Sequence, residues 1–270
     1  MKRLFIRALR AIGLLGLVFR FFENARAFTA EVSHFWRPRS LKGPDGLPLP
    51  PPKLILLVSG HSNSEKFWTE GHSAFQSICH ILSRNGLDVQ NFQSILDFGC
   101  GCGRVIRHFY LWYKGNLYGT DYNVALIRWC QRNLPFAQFA INNLEPPLPF
   151  PENKFDLVYA LSVFTHLSEP LQILWMREIF RVLAPGGYLI FTTHGAGYLD
   201  VMTPDEQATF QEDHLVVRYE ECSGMNLCAS FHPFKYVKEV LCREFILIDF
   251  VPEGAWGNGR QDIFLFKKPL

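Results

Sequence analysis

The sequence predicts an α/β fold: a doubly wound, mostly parallel sheet of seven strands ending in an antiparallel C-terminal hairpin. Three observations support that expectation. From residue 93 onward, short apolar runs alternate with segments of helical period. The first run leads into a glycine-dense turn, "LDFGCGCGR". At the far end of the chain, two apolar runs flank the glycine-bearing "GAWGNGR", as a hairpin requires.

The elements follow in order. "KLILLVSG" reads as a short strand, and the next segment as a helix with Phe75, Ile78, Cys79 and Leu82 on one face, closed by Asn85-Gly86. "SILDF" is a strand and "RVIRHFYLWY" a helix; "NLYGTD" is a strand and "VALIRWCQRNL" a helix. "AQFAINN" and "FDLVYALSV" are strands, "PLQILWMREIFRVL" a helix, and "GYLIFTTH" a strand. "FKYVKEVLCREF" is the last helix, before the strands "ILIDFVPE" and "QDIFLFKKP". The strands are short and almost unbroken by polar residues, as expected where helices cover both sheet faces. Residues 197–230 exceed what the bare fold needs there; within them "TPDEQATFQED" reads as a short helix with Thr203 as N-cap and Glu206 completing a capping box.

Three parts are expected: a basic amphipathic helix over 1–30, a proline-rich linker with a cap or lid over 31–90, and the sheet domain over 91–270. Residues 37–52 hold six prolines, with the run at 50–52 extended. Before Glu23 the chain has Lys2, Arg3, Arg7, Arg10 and Arg20 and no acid, and Arg3, Arg7 and Arg10 share a helical face. The apolar run "AIGLLGLVF" rises only ~14 Å as a helix, short of a ~30 Å bilayer core. A helix lying in an anionic membrane interface and a helix capping the domain are equal readings of residues 1–28, with a cleaved signal or transit peptide as a third.

Composition bounds the function. Hydrophobic residues make up 48% and charged residues 19%, enough for a substantial core. A formal net charge of +2 lacks the basic footprint of a nucleic-acid binder. The 25 phenylalanines suit either a greasy pocket or the core. Seven cysteines, odd in number and without a C-x-x-C pair, read as reduced thiols in a cytoplasmic setting, with no metal site.

The glycine turn is the chemical signal. In doubly wound sheets a ligand sits beyond the carboxyl ends of the strands, where strand order reverses. Gly99, Gly101 and Gly103 clear side chains from that turn, and Asp97 lies two positions before the first of them. A carboxylate there would repel a pyrophosphate and suit an ammonium group. Asp121, ending the next strand, can accept from both hydroxyls of a ribose. The site therefore asks for a ribose and a positive charge without a diphosphate. S-adenosylmethionine meets that description better than a dinucleotide does.

Residues 93–196 resemble the class I S-adenosylmethionine-dependent methyltransferases, a Rossmann-like family. "ILDFGCGCGRV" matches its first motif, "YGTDYN" its second strand with the ribose acid, and "IFRVLAPGGYLIFTTHG" its R-x-L-x-P-G-G turn and fifth strand. "NNLEPPLPFPENKFDLVYALSVFTHL" is similar to its segment from the adenine loop through the fourth strand. The resemblance implies cofactor contacts from Asp97, Phe98, Gly99, Cys100, Gly101 and Gly103, from Asp121 and Tyr122, and from Asn142, Asn143, Leu144 and Leu161. Where many relatives place an acid against the adenine, this chain has Asn142-Asn143, so a carboxamide or the backbone must serve. No N-P-P-Y-like tetrapeptide follows the fourth strand, which speaks against amino-directed nucleic-acid methylation.

Methyl transfer asks a protein to position the acceptor and, for a hydroxyl, to take its proton. His166 and His194 are the candidate catalytic bases, and Glu70 and His72, in "WTEGH", the candidate substrate contacts on a lid. The expected activity is methylation of a small-molecule, glycan or lipid-linked acceptor, oxygen-directed, in the cytoplasm or at its membrane face. A catalytically silent cofactor sensor or partner subunit of the same fold is the alternative reading.

Overall fold

Strand β1 (Ser94–Phe98) lies inside the sheet between β2 and β4, its last four residues buried. The computed structural model describes residue 6, residues 9–33 and residues 41–270. Arg3 and Arg7 of the expected basic face, Lys2, and residues 37–40 of the proline-rich stretch lie outside the described residues. On one side of β1 are β2 (Asn116–Asp121) and β3 (Gln138–Ile141); on the other are β4 (Phe155–Ala160) and β5 (Leu183–Thr193), all parallel. The strands β8 (Ile246–Val251) and β9 (Asp262–Lys267) complete the seven-stranded sheet in the order β3-β2-β1-β4-β5-β9-β8. Strand β9 inserts antiparallel to both neighbours, pairing Phe264 with Phe191 on β5 and with Phe250 on β8. The order reverses between β1 and β4, so the chain leaves these two strands toward opposite sides and opens a crevice at their carboxyl ends.

Before the sheet come helices α1 (Leu15–Ser33), α2 (Pro52–Ser59) and α3 (Ser64–Ser83). Helix α4 (Val124–Asn133) joins β2 to β3 and α5 (Glu169–Val182) joins β4 to β5. The insert after β5 holds α6 (Pro204–Gln211) and a separate ribbon of β6 (Val216–Arg218) and β7 (Ala229–Phe231). Helix α7 (Phe234–Tyr236) runs on into a π turn, Val237–Leu241. None of the described helices is long and apolar enough to cross a membrane.

Two expected elements are corrected. "KLILLVSG" forms helix α2, not a strand. Pro52 at its first turn presets the helical φ, and Gly60 closes it in the left-handed conformation, φ 71°, donating to the Leu56 carbonyl. A short apolar run flanked this way has no period that separates helix from strand. "RVIRHFYLWY" does not form an α-helix; it holds a 3₁₀ turn, Ile106–Phe109, between bends. Its bulky side chains act as a plug: Phe109 stacks on Tyr159 and meets Phe75 edge-on, while the Tyr113 hydroxyl donates to the Phe92 carbonyl.

Many of the phenylalanines serve the core. Phe191, Phe264 and Phe266 stack across the β5–β9 pairing, and Phe234, Phe245 and Phe250 pack on that stack. The second half of the proline-rich stretch is anchored to the domain. Arg107, fully buried, makes a bidentate pair with Asp45 at 2.7 and 2.9 Å and donates to the carbonyls of Leu47 and Pro48.

Candidate active site

The carboxyl ends of β1, β2 and β4 open into a cavity of about 660 Å³. One wall is the sheet. Phe98, Gly99, Cys100 and Gly101 leave β1 and turn over the end of β2, where Gly99 and Cys100 both donate to the Thr120 carbonyl. The three glycines have φ of 78°, 56° and 75°, a conformation that side chains other than glycine disfavour. They are also required sterically: a Cβ on Gly99 would lie 2.4 Å from Val163, on Gly101 2.8 Å from Val58, and on Gly103 2.4 Å from Leu134. The space freed by the glycines is thus filled by the protein's own side chains. The loop is pressed into shape from behind, and Gly103 lies outside the cavity lining.

Asp97 sits beneath this loop, 4% exposed, and its Oδ2 has no hydrogen-bond partner among the described residues. Burial pushes its carboxyl up to about 7, against the opposing pull of the Tyr159 hydroxyl and the Arg104 guanidinium. Asp121 accepts from the backbone of Gly101 at 3.0 Å and of Asn123 at 2.8 Å, and burial raises it to about 6. Asn142 is buried, with its amide donating to the Asn143 carbonyl and its Oδ1 unpartnered. Tyr122 donates its hydroxyl to the Gly224 carbonyl, tying the end of β2 to the insert. Leu144 receives the indole N–H of Trp175 on its carbonyl, and Leu161 and Asn143 complete the rim.

These residues fit S-adenosylmethionine. A buried acceptor at Asp97 lacks a donor such as an ammonium group, a carboxylate at Asp121 can face a ribose, and the free Asn142 Oδ1 can face an exocyclic amine. The cysteines add no chemistry: Cys100 is a buried free thiol whose pKa burial raises well above the ordinary value.

The predicted catalytic pair divides. His166 lines the cavity, and its Nδ1 donates to the Cys228 carbonyl at 2.8 Å. That bond fixes the tautomer and leaves Nε2 as the lone-pair nitrogen, without a partner among the described residues. Burial lowers its pKa, keeping the ring neutral at neutral pH. His194 is not brought into the cavity. Its Nδ1 meets the Ser230 carbonyl at 3.2 Å, its Nε2 faces Gln261 Nε2 at 3.4 Å, and its ring lies 4.3 Å from that of Tyr198. Both nitrogens are engaged, and burial together with nearby His166 lowers its pKa to about 4.

The lid pair divides too. Glu70 lines the cavity from α3, paired with His61 at 3.1 Å and Lys66 at 3.5 Å. His72 lies away from it, stacked on Trp68 and tilted against His108. A helical turn separates residues by about 100° per position, so two residues two apart face different ways.

Ser162, on the loop after the fourth strand, is legible in the sequence as a candidate, whereas Arg104, Gln261 and the α1 residues of the lining are not. Arg104 is buried and donates to the Gly257 carbonyl and Asn258 Oδ1. Gln261 accepts from Ser162 at 3.0 Å and Thr192 at 2.7 Å, which orients its amide toward His194. Ser162 itself has φ 58°, a strained conformation at the end of β4. Phe19, Glu23 and Arg26 of α1 close the far side. The left-handed conformation of the serine leaves no mark in sequence; Arg104 belongs to the glycine motif but no spacing singles it out, and the others belong to segments without motifs.

Fold and crevice together define the class: the central α/β unit has the Rossmann-like fold of the class I methyltransferases. Residues 96–191 match the family described as methyltransferase domain. The chain is similar to the sterol 24-C-methyltransferase of Schizosaccharomyces pombe, 37% identical over 126 residues, 44% of this chain and 32% of that protein. It is also similar to the fatty-acid O-methyltransferase of Mycolicibacterium smegmatis, 33% identical over 101 residues, 36% of each chain. It thus spans about a third of the length of these curated relatives. The solved S-adenosylmethionine-dependent methyltransferase of Mesorhizobium loti shares the fold, with a TM-score of 0.54 at 16% identity, over 71% of this chain and 98% of that one.

Proposed function

We propose that the protein transfers a methyl group from S-adenosylmethionine to a hydroxyl of a small-molecule, glycan or lipid-type acceptor. Asp97, Asp121 and Asn142 hold the cofactor, and His166 Nε2 takes the acceptor proton. The observation that carries this reading is the meeting, in one cavity, of an unpartnered buried carboxylate oxygen and a neutral histidine with its lone-pair nitrogen free. The bound cofactor supplies an activated methyl with a good leaving group. The protein's remaining work is positioning and proton removal. The relatives act on sterols and fatty acids by name, and the apolar share of the lining, Leu144, Leu161, Val163 and Trp175, suits a greasy acceptor. His194 acts at one remove, holding Gln261 in the orientation that presents Ser162.

The test pairs binding with turnover. Wild-type protein is titrated with S-adenosylhomocysteine in a calorimeter, then incubated with labelled S-adenosylmethionine and fractionated lipid and small-molecule extracts. His166→Gln is expected to keep S-adenosylhomocysteine affinity within about twofold and to lower methyl incorporation by roughly 100-fold, within the range of a lost general base. Unchanged incorporation would remove His166 from the chemistry. Absence of S-adenosylhomocysteine binding by the wild type would remove the cofactor assignment.

A further inference from the structure

Helix α1 has two faces of opposite character. Leu15, Phe19, Glu23 and Arg26 recur at helical spacing on one side; Leu15 is buried, and the other three line the cavity. Glu23 is held there by Asn226, whose amide donates to it at 3.1 Å and to the Leu57 carbonyl at 3.2 Å. The opposite side is formed by Leu17, Phe21 and Ala25, with Ile12 and Leu14 just before the helix. Leu17 is 69% exposed, Phe21 75% and Ile12 64%. Large apolar side chains left open at i, i+3 and i+7 form a stripe, and a stripe of this kind marks an interaction surface rather than scattered surface residues.

The charge around the stripe names its partner. The first 22 residues hold Lys2, Arg3, Arg7, Arg10 and Arg20 and no acid. The first acid, Glu23, faces the cavity and accepts from Asn226, away from the exposed stripe. Arg10 pairs with Glu221 at 2.9 Å, which tethers the start of the segment to the insert. Arg26 stays at the rim, 5.9 Å from the Phe22 ring centroid. An apolar stripe set in a cationic segment complements a bilayer surface of anionic lipids: acyl chains for the leucines and phenylalanine, headgroups for the arginines.

We propose that α1 and the residues just before it dock in an anionic lipid interface through Ile12, Leu14, Leu17 and Phe21, so that one helix separates the bilayer from the active-site cavity. Docking itself does not depend on the methyl-transfer reading. Its consequence does rest on that reading: an acceptor dissolved in the membrane meets the enzyme at the wall formed by Phe19, Glu23 and Arg26, without crossing bulk water.

Cosedimentation of the full chain with vesicles tests this without any turnover assay. Phosphatidylcholine vesicles are compared with vesicles in which a third of the lipid is phosphatidylglycerol, at low and high salt. The wild type is expected to partition preferentially onto the anionic vesicles and to lose much of that preference at high salt. Leu17→Gln/Phe21→Gln is expected to weaken partition by roughly tenfold or more, since two exposed side chains lose their apolar burial. S-adenosylhomocysteine affinity of the double variant should stay within about twofold, because neither residue lines the cavity. Equal partition of wild type and variant would overturn the proposal, as would a wild type that ignores both vesicles. So would a dimeric wild type that becomes monomeric in the variant without binding lipid, which would assign the stripe to a second copy of the chain.

Discussion

The two walls of the cavity are built in different ways. The sheet wall comes from one stretch, residues 97–162: the glycine loop, Asp97, Asp121, Asn142 and Leu161 all sit at strand ends within a single α/β unit. The opposite wall is gathered from four distant segments: Phe19, Glu23 and Arg26 from α1, Val58 and Glu70 from α2 and α3, Met225 and Asn226 from the insert, and Asn258 and Gln261 from the β8–β9 loop. The first wall is fixed by backbone geometry, and the second by long-range side-chain bonds. The sheet wall should therefore tolerate damage to the cap, whereas the cap wall should fail at its anchors.

The strongest blow falls at the seam between them. Asp45 is the ionic partner of a guanidinium that is completely buried, and Asp45→Ala leaves Arg107 with only two long bonds to carbonyls. Removing one partner of a buried pair costs about 3–5 kcal/mol, because the remaining charge is stranded. Urea unfolding should show a loss of that order. A loss below about 1 kcal/mol would mean that the cap and sheet are not joined through this pair.

The next effect sharpens the sheet wall. Asp97→Asn keeps the shape but removes the charge that would meet an ammonium group, and S-adenosylhomocysteine affinity should fall by roughly tenfold to a hundredfold. The sign of the pH dependence follows from the raised pKa. With its carboxyl near 7, Asp97 is mostly protonated at pH 5.5 and mostly ionised above pH 8. Only the ionised form pairs with a cation, so wild-type affinity should rise between pH 5.5 and 7.5. In Asp97→Asn that rise should shrink to what Asp121, near 6, still contributes. A wild type with flat binding over this interval would deny Asp97 the ammonium contact.

The same contrast explains what was legible in the sequence. The strand–helix alternation, the antiparallel C-terminal hairpin and the strand-end acids follow from local patterns: unbroken apolar runs, glycines with forced positive φ, and an acid in the last two residues of each of the first two strands. Helix α2 is not legible as a helix because five consecutive apolar residues carry no period, and the meaning of Pro52 depends on whether a helix follows it. The stretch after the glycine loop was misread because its apolar spacing serves a packed aromatic plug, not a helix face. Gln261 and Glu23 could not be found by pattern at all. Their places depend on Ser162 and Thr192 in one case and Asn226 in the other, each about 70 to 200 residues away in the chain. His72 and His194 show the reverse error: histidines near a motif, whose rings are used for packing and for orienting a neighbour.

The smallest effect separates the insert from the cavity it borders. The N-cap Thr203 accepts from Glu206 N at 3.4 Å, while Glu206 returns a bond to Thr203 N at 2.7 Å and pairs with Arg218. Arg218 beside Glu206 holds that carboxyl down at about 2, so this side of the capping box is anchored independently of the threonine. Thr203→Ala therefore removes only the longer of the two bonds, and should cost about 0.5–1 kcal/mol, at the low end for a lost N-cap. Neither Thr203 nor any other residue of α6 lines the cavity, so S-adenosylhomocysteine affinity should not move. If Thr203→Ala did weaken cofactor binding, α6 would have to hold Gly224–Asn226 in place through the ribbon β6–β7, and the cap wall would be one cooperative body instead of four separately anchored pieces.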